Sequence, residues 1–554
     1  MTPSIQTPEE HPLPKHDSAV LDSAHRGHIH GAFGSIAHHD LAPRRTWAHK
    51  LRTLAAIVGP GLIVMVGDND AGAFGTYTQA GQNYGTSLLW TLLFMIPVLY
   101  VNQEMVLRLG AVTGVGHARL IFERFGKFWG SFSVIDLFLL NVLTLVTEFI
   151  GITMGLSILG LAKIPGVAIA ATILMIASAT GDFRRFERFA MTLVAGSLLL
   201  VPILIMVHPP ATQLLHDFFI PHLPTGKLSD IMLMMIAIVG TTVAPWQLFF
   251  QQSYVIDKRI TPAFMKYGIA DLWLGIVIVI IGAGAMIAFS TATFAGHSEA
   301  GQFTDAVAVA SGMSKYEGRL PAVLFAIALI DACIIGAAAV SLSTAYALGD
   351  VFSIRHSLHR KPQEARGFYA FYFGLIILAA TLVLTPGTPL GLLTNLVQTL
   401  AGVLLPSATV FLLLLCNDRE VLGPWVNARV TNAFTTVVIA ALVMLSVILT
   451  AAMLFPAISD MQIVAVLITG CGLAIAITLA IKVYERRSGR ASIALATIDR
   501  SQRAGWRMPP LAQLAPARLS LMNRIWMGVL RLYLVGAAGL LVVKLIQLAT
   551  SGGH

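Results

Sequence analysis

The sequence predicts an all-α, polytopic membrane protein of about twelve crossing helices, built from two inverted five-helix repeats whose first helices are each interrupted at mid-depth. Three observations predict it. Only 12% of the 554 residues are charged and 56% are hydrophobic, whereas a soluble domain needs roughly a quarter charged residues to coat its surface. Apolar stretches of bilayer length recur along the chain. Two of them, at corresponding places, carry polar or proline interruptions.

The spans are read near 54–83, 87–109, 131–161, 165–181, 189–207, 229–255, 269–294, 320–349, 367–385, 389–415, 434–455 and 461–483. Segment 532–548 is apolar but short and carries Lys544, so it is either a thirteenth span or an interfacial helix. Loop cations orient the set. Arg108, Arg119, Arg124, Lys127, Arg184, Arg185, Arg188, Lys258, Arg259, Lys266, Arg355, Arg360, Lys361, Arg366, Arg419 and Arg429 fall on one side, against Lys163, Lys227, Lys315 and Arg319 on the other. The positive-inside rule puts the first side and the N-terminus in the cytoplasm of a cell or inner membrane. The net charge of +9 follows from this bias and calls for no nucleic-acid partner. The expected partners are the bilayer and a transported ion, with the oligomeric state left open.

Residues 1–50 are polar, contain no apolar signal segment, and read as a disordered cytoplasmic tail. The tail is rich in histidine (His11, His16, His25, His28, His30, His38, His39). Imidazole binds transition metals, which leaves a metal-buffering tail as the alternative to a merely variable one. A transporter core then occupies 51–425 (helices 1–10), and helices 11 and 12 occupy 426–484. Residues 485–554 combine a basic cytoplasmic stretch, suited to anionic headgroups, with the C-terminal apolar segment. Cys333, Cys416 and Cys471 show no zinc or redox spacing and read as small buried residues.

The first span reads Gly59-Pro60-Gly61, then Gly67-Asp68-Asn69-Asp70-Ala71-Gly72-Ala73. Carboxylates at that depth cost several kcal/mol unless they face protein, water or an ion. The flanking glycines weaken the helix, and unwound backbone exposes carbonyl oxygens of the kind that hold cations in discontinuous transporter helices. The sixth span is broken at Gly240-Thr241-Thr242-Val243-Ala244-Pro245-Trp246-Gln247, where proline removes a donor and clashes with the preceding turn. Metal-ligand candidates are therefore Asp68, Asn69, Asp70, Gln247 and the backbone carbonyls about Gly240–Ala244. Intramembrane acids default to function, which adds Asp331 as a candidate for the ion or proton route. Asn395 and Gln398 of the tenth span offer amide oxygens, and Glu104 and Asp136 sit nearer span ends.

These strings resemble the NRAMP family of divalent metal transporters over roughly residues 50–425. Gly59-Pro60-Gly61 and, eight residues on, Asp70-Ala71-Gly72-Ala73 follow the family's first-span pattern. Gln103-Glu104-Met105 through Gly114, Glu148-Phe149-Ile150-Gly151 and Asn417-Asp418-Arg419 resemble later family signatures. The resemblance implies a LeuT-type fold, a transported ion as substrate, no cofactor and no enzymatic activity. It also implies that Asp70 ligates metal. Ala73 stands where the family has a ligating Asn, and Ala244-Pro245-Trp246-Gln247 stands where the family has Met-Pro-His-Asn. Without the thioether, an oxygen site favours a harder ion, and magnesium keeps several waters. The pattern resembles the NRAMP-related magnesium-transporter branch, with manganese as a second substrate. Of the family's proton relay, Glu148 is kept. Leu145 stands at the Asp position, and Trp246 and Gln251 stand at the histidine positions. That set implies weakly coupled or uncoupled flux.

Two other functions fit the same architecture. An amino acid or other organic-solute transporter would present helix N-termini to a carboxylate, which Asp68 and Asp70 would repel. A non-transporting metal sensor is suggested by the histidine tail and the lost ligands. Phosphate loops, nucleophile elbows and zinc motifs are not found in the sequence.

Overall fold

The computed structural model describes residues 21–386, 406–454, 459–487, 506–517 and 523–536, with isolated positions at 397, 501, 503, 519 and 539. The first span comprises α1 (Trp47–Ile57), α2 (Pro60–Val66) and α3 (Ala71–Tyr84). The next spans are α4 (Trp90–Thr113), α6 (Lys127–Ile158) and α7 (Lys163–Ser178), with α5 (His117–Phe125) as a short connector. The fifth span runs through α8 (Phe183–Gly196) and α9 (Leu200–Val207), and α10 (Ala211–Phe219) lies in the loop after it. The second repeat opens with α11 (Leu228–Thr242) and α12 (Pro245–Asp257), followed by α13 (Met265–Phe294), connector α14 (Ala306–Tyr316), α15 (Arg319–Val351) and α16 (Arg366–Leu384). Of the expected tenth span only α17 (Pro406–Cys416) is described. The chain continues through α18 (Arg419–Leu422), α19 (Arg429–Leu454) and α20 (Asp460–Arg487). Most of 532–548 lies outside the described residues. Among those described, eight helical segments are each long and apolar enough to cross a membrane, and the bent pair α1–α2 makes a ninth.

Helices of the two halves meet their counterparts: α4 packs on α13, α6 on α15, α2 on α12 and α3 on α11. This pairing of each span with the one five places later is what an inverted repeat produces, and it sets the two broken helices side by side. Several loop cations used to orient the chain are buried and paired rather than solvated. Arg108 bonds Glu104 at 3.0 Å and Asn427 at 2.6 Å, Arg124 meets Asp418 at 2.6 Å, and Lys258 is wholly buried. Cys333 and Cys416 are buried as expected, whereas Cys471 is exposed on α20.

The tail is a correction. Residues 1–20 lie outside the described set, but 21–50 are ordered. Strand β1 (Ile29–Gly31) pairs antiparallel with β2 (Gly34–Ile36). A lone hairpin is marginal in water. This one buries Ile29 and Ile36 against Ala56 and Ile57, and its polar groups bond the loops around it. The polar composition of 1–50 suggests disorder, yet even a histidine of this stretch is buried: His25 lies against His356 O at 2.9 Å and Asp257 at 3.7 Å.

That burial has a pH consequence. Desolvation lowers the His25 pKa below its ordinary value despite the pull of Asp257, Asp22 and Asp350. Burial also opposes charging of His356, but Asp350 at 3.0 Å, the Ile354 carbonyl and Asp22 outweigh it and push His356 up to about 9. Asp350 and Ile354 stay beside His356 when the segment leaves, so the docking linkage lies with His25: it supports docking fully above 6.5 and loses that support as pH falls below it. Docking of the segment is thus expected to loosen as pH falls below about 6.5. A spin-label distance from the segment to α8, followed from roughly pH 5 to 8, reads this; a distance unchanged across that range contradicts it.

Candidate metal site

The first span comes apart because α2 ends on Gly67 and α3 starts on its own cap. The last turn of α2 tightens, with Gly67 N–H on Ile63 O at 2.9 Å, Asp68 N–H on Met65 O at 3.3 Å and Asn69 N–H on Val66 O at 3.1 Å. Asp70 then accepts the Ala73 N–H at 3.0 Å and begins α3. The carbonyls of Gly67, Asp68 and Asn69 fall in the gap between two helices. In the sixth span the last bond of α11 is Val243 N–H to Val239 O at 3.1 Å. Pro245 at the first position of α12 has no N–H to return, so the carbonyls from Gly240 to Val243 lie beyond the ladder. Ala244 O accepts the Gln247 N–H at 3.2 Å. Beyond the breaks, Thr76 and Thr241 hydroxyls lie 3.2 Å apart, and Tyr77 and Thr242 hydroxyls 2.8 Å apart, tying α3 to α11.

Three consecutive side chains at the first break turn to three different walls. Asp68 is 2% exposed, lies beside Gln247 of α12, and keeps Oδ2 without a partner. Gln247 is itself held by Gln103 of α4, whose Nε2 donates to Gln247 Oε1 at 2.9 Å. Asp70 faces α6 and α15: a Cβ on Gly336 would lie 3.0 Å from the Glu148 carboxyl carbon and 3.2 Å from Asp70 Cβ. Glu148 accepts the Ala71 N–H at 3.3 Å, and its other oxygen is buried without a partner. Asn69 points toward α13, its Nδ2 only 2.5 Å from where a Gly282 Cβ would be, and both polar atoms of its side chain are buried without a hydrogen-bond partner.

The structure therefore gathers Asp68, Asp70, Gln247 and the Gly240–Ala244 backbone around the paired breaks, with Glu148 behind Asp70, and turns the Asn69 side chain away. Among the described residues no three of His, Cys, Asp and Glu converge as a metal-holding cluster. The donors at the gap are carboxylate, amide and carbonyl oxygens. Of the nearby sulfurs, Met65 packs toward Gly275 of α13, while Cys333 lies against Gly151 of α6 and beside Glu148. Asp331 stands apart, pressed against Gly196 at the 3-10 turn of the fifth span. Asp136 faces Ser407 at 3.5 Å. Asn395 and Gln398 lie outside the described residues.

Three features escaped the sequence reading. Gln103 orients Gln247 but was visible only as part of a motif. Asp271 of α13 caps α2, accepting N–H groups from Gly59 at 3.0 Å, Gly61 at 2.6 Å and Leu62 at 3.2 Å; an acid early in the seventh span was its available signal. Lys258 and Glu187, both 0% exposed, form a buried ion pair at 2.7 Å. Lys258 also donates to Val58 O at 2.8 Å, at the α1–α2 elbow.

Residues 61–452 match the family model described as natural resistance-associated macrophage protein-like. A natural resistance-associated macrophage protein 2 homolog of Dictyostelium discoideum is 25% identical over 74% of this chain and 65% of its own length. A divalent metal cation transporter MntH of Lacticaseibacillus casei is 28% identical over 50% of this chain and 64% of that one. The match thus spans just under two thirds of those two relatives. With the MntH of Aeromonas hydrophila it is 26% identity over 72% of this chain and 96% of that one. The fold matches a crystal structure of the Eremococcus coleocola manganese transporter with a TM-score of 0.61 at 18% identity, covering 81% of this chain and 97% of that one.

Proposed function

Because the chain belongs to the natural resistance-associated macrophage protein-like (Nramp) family, we propose that it is a multi-pass plasma-membrane transporter carrying divalent metal ions, Mg²⁺ and Mn²⁺, into the cytoplasm through the paired breaks. The observation that carries this reading is Asp68, a carboxylate 2% exposed with an unpartnered oxygen, beside Asp70 in a gap whose other donors are amide and carbonyl oxygens. A buried carboxylate with no cationic partner is costly unless an ion or water meets it. The donors are all hard oxygens, which suits an ion that prefers oxygen and keeps several of its own waters, as magnesium does. Names of relatives as divalent metal cation transporters support the substrate class. The acids argue against an amino acid substrate, whose carboxylate they would repel.

Coupling to protons is weak or absent in this reading. Trp246 and Gln251 are buried and cannot titrate, and Leu145 offers no proton site. A dication moving inward gains roughly 4.6 kcal/mol per 100 mV of membrane potential, enough to drive accumulation alone. In proteoliposomes, Mg²⁺ and Mn²⁺ uptake, measured beside Ca²⁺, is expected to rise with an inside-negative potential and to persist when the pH gradient is collapsed. Uphill uptake that tracks an imposed pH gradient would overturn the uncoupled reading; no uptake of any of the three ions would overturn the function.

A further inference from the structure

Two glutamines of α12 are buried against α4 and the loop that follows it, and they are fixed differently. Gln252 is bonded at both ends: Nε2 donates to Val115 O at 2.7 Å, and Oε1 meets His117 Nδ1 at 3.1 Å. The Val115 carbonyl can only accept, so this amide has one setting. Gln247 is bonded at one end. Its Oε1 takes Gln103 Nε2 at 2.9 Å, while Gln247 Nε2 and Gln103 Oε1 are each buried without a partner. Both side chains are 0% exposed. Buried amide ends are seldom left unpaired in native proteins.

This pair has a second setting of the same shape, because the oxygen and nitrogen of an amide are nearly the same size. If both amides rotate half a turn, Gln247 Nε2 donates to Gln103 Oε1, and Gln247 turns its oxygen to the far side. One amide cannot turn without the other, since two oxygens or two amino groups would then face each other. The far side of Gln247 is where Asp68 lies, with its Oδ2 unpartnered. In the setting the structure shows, Gln247 offers Asp68 an amino group, which suits a carboxylate and repels a cation. In the other it offers an oxygen, which suits a cation or the hydrogen of a water held on one.

We propose that Gln103 is a positioning residue that turns in concert with Gln247, changing the amide beside Asp68 from donor to acceptor as the ion is taken up and back again as it is released. This rests on the transport reading above and deepens it. Gln103 acts through Gln247 rather than on the ion. Both amides are neutral, so the change moves no proton, in keeping with flux that is not tied to one. Gln252, locked at both ends, holds α12 against α4 while the neighbouring pair turns.

The test uses the full chain with Mn²⁺ as probe, reading equilibrium binding and initial uptake in proteoliposomes. Gln103→Glu supplies a carboxylate that only accepts, so it holds Gln247 Nε2 and keeps Gln247 Oε1 on the Asp68 side. Binding is expected to tighten about tenfold. The maximal uptake rate is expected to fall at least about tenfold, because the amide cannot turn back for release. In a Gln247→Leu background the same substitution should change neither. Tightening that persists in that background is an effect of charge alone and overturns the proposal. So does a Gln103→Glu variant that binds no tighter or takes up Mn²⁺ no more slowly. A second measurement does not need Gln103→Glu to fold. With glutamine isotope-labelled in the side chain, the infrared difference on adding Mn²⁺ should contain two glutamine carbonyl bands in the unsubstituted chain and one in Gln103→Leu. One band in both overturns the concerted turn. If the unsubstituted chain neither binds nor takes up Mn²⁺, the transport reading itself falls and the proposal with it.

Discussion

Asp70→Asn is expected to lower metal uptake by at least about a hundredfold while leaving the fold intact. Asp70 does two separable jobs. Its side chain accepts the Ala73 N–H at 3.0 Å and caps α3, and its charge faces the break. Asparagine caps a helix about as well as aspartate, so the conservative variant removes only the charge. Removing one partner of a buried charge interaction costs about 3–5 kcal/mol, which at 1.4 kcal/mol per decade is roughly two to three and a half decades in affinity. Asp70→Ala should lose the same flux plus about 1 kcal/mol of stability from the missing cap. Asp68→Asn should approach the Asp70→Asn loss, because its Oδ2 is buried without a partner two residues from Asp70 at the same break. Asn69→Ala should be mild, since that side chain faces α13 rather than the gap. Metal uptake and thermal unfolding of the four purified variants separate these outcomes. Flux undiminished in Asp70→Asn would remove the site from the first break.

What could be read from the chain and what could not divide along a physical line. The two breaks were legible because the signals are local: glycine and acids at Gly67–Asp70, proline at Pro245. Helical phase was not legible inside the first break. Once the chain leaves the 3.6-residue period, nothing in Asp68-Asn69-Asp70 says which wall each side chain faces, and Asn69 was placed among the ligands although it turns to α13. Buried partners distant in sequence were also hidden. Lys258 looks like one more cytoplasmic loop cation until the fold brings Glu187, 71 residues away, within 2.7 Å of it. The ordered tail failed for a related reason. Ile29 and Ile36 are scattered among polar residues with no periodic apolar pattern, and their value appears when Gly31 and Gly34 let them reach α1.

Lys258→Met is expected to destabilise the protein by about 3–5 kcal/mol, because it leaves the Glu187 carboxylate buried at 0% exposure with no countercharge. A Met side chain fills much of the volume but cannot meet a charge. Pairing it with Glu187→Leu should recover most of that loss, since two apolar residues of similar size often equal a buried ion pair. Recovery will be incomplete. Lys258 also serves Val58 O at 2.8 Å, and Glu187 also serves the Ala32 N–H at 2.6 Å. The double variant strands both backbone groups, each worth about 1–3 kcal/mol when left unpaired. Both groups sit where the hairpin, α8 and the α1–α2 elbow meet, so the residual loss should appear first as protease access to residues 22–46 and only later as global unfolding. Thermal unfolding of the two single variants and the double gives the coupling energy as a cycle. Additive losses, with no recovery in the double variant, would mean that the pair contributes as two separate hydrogen-bonding groups and that the charge interaction does not hold the elbow.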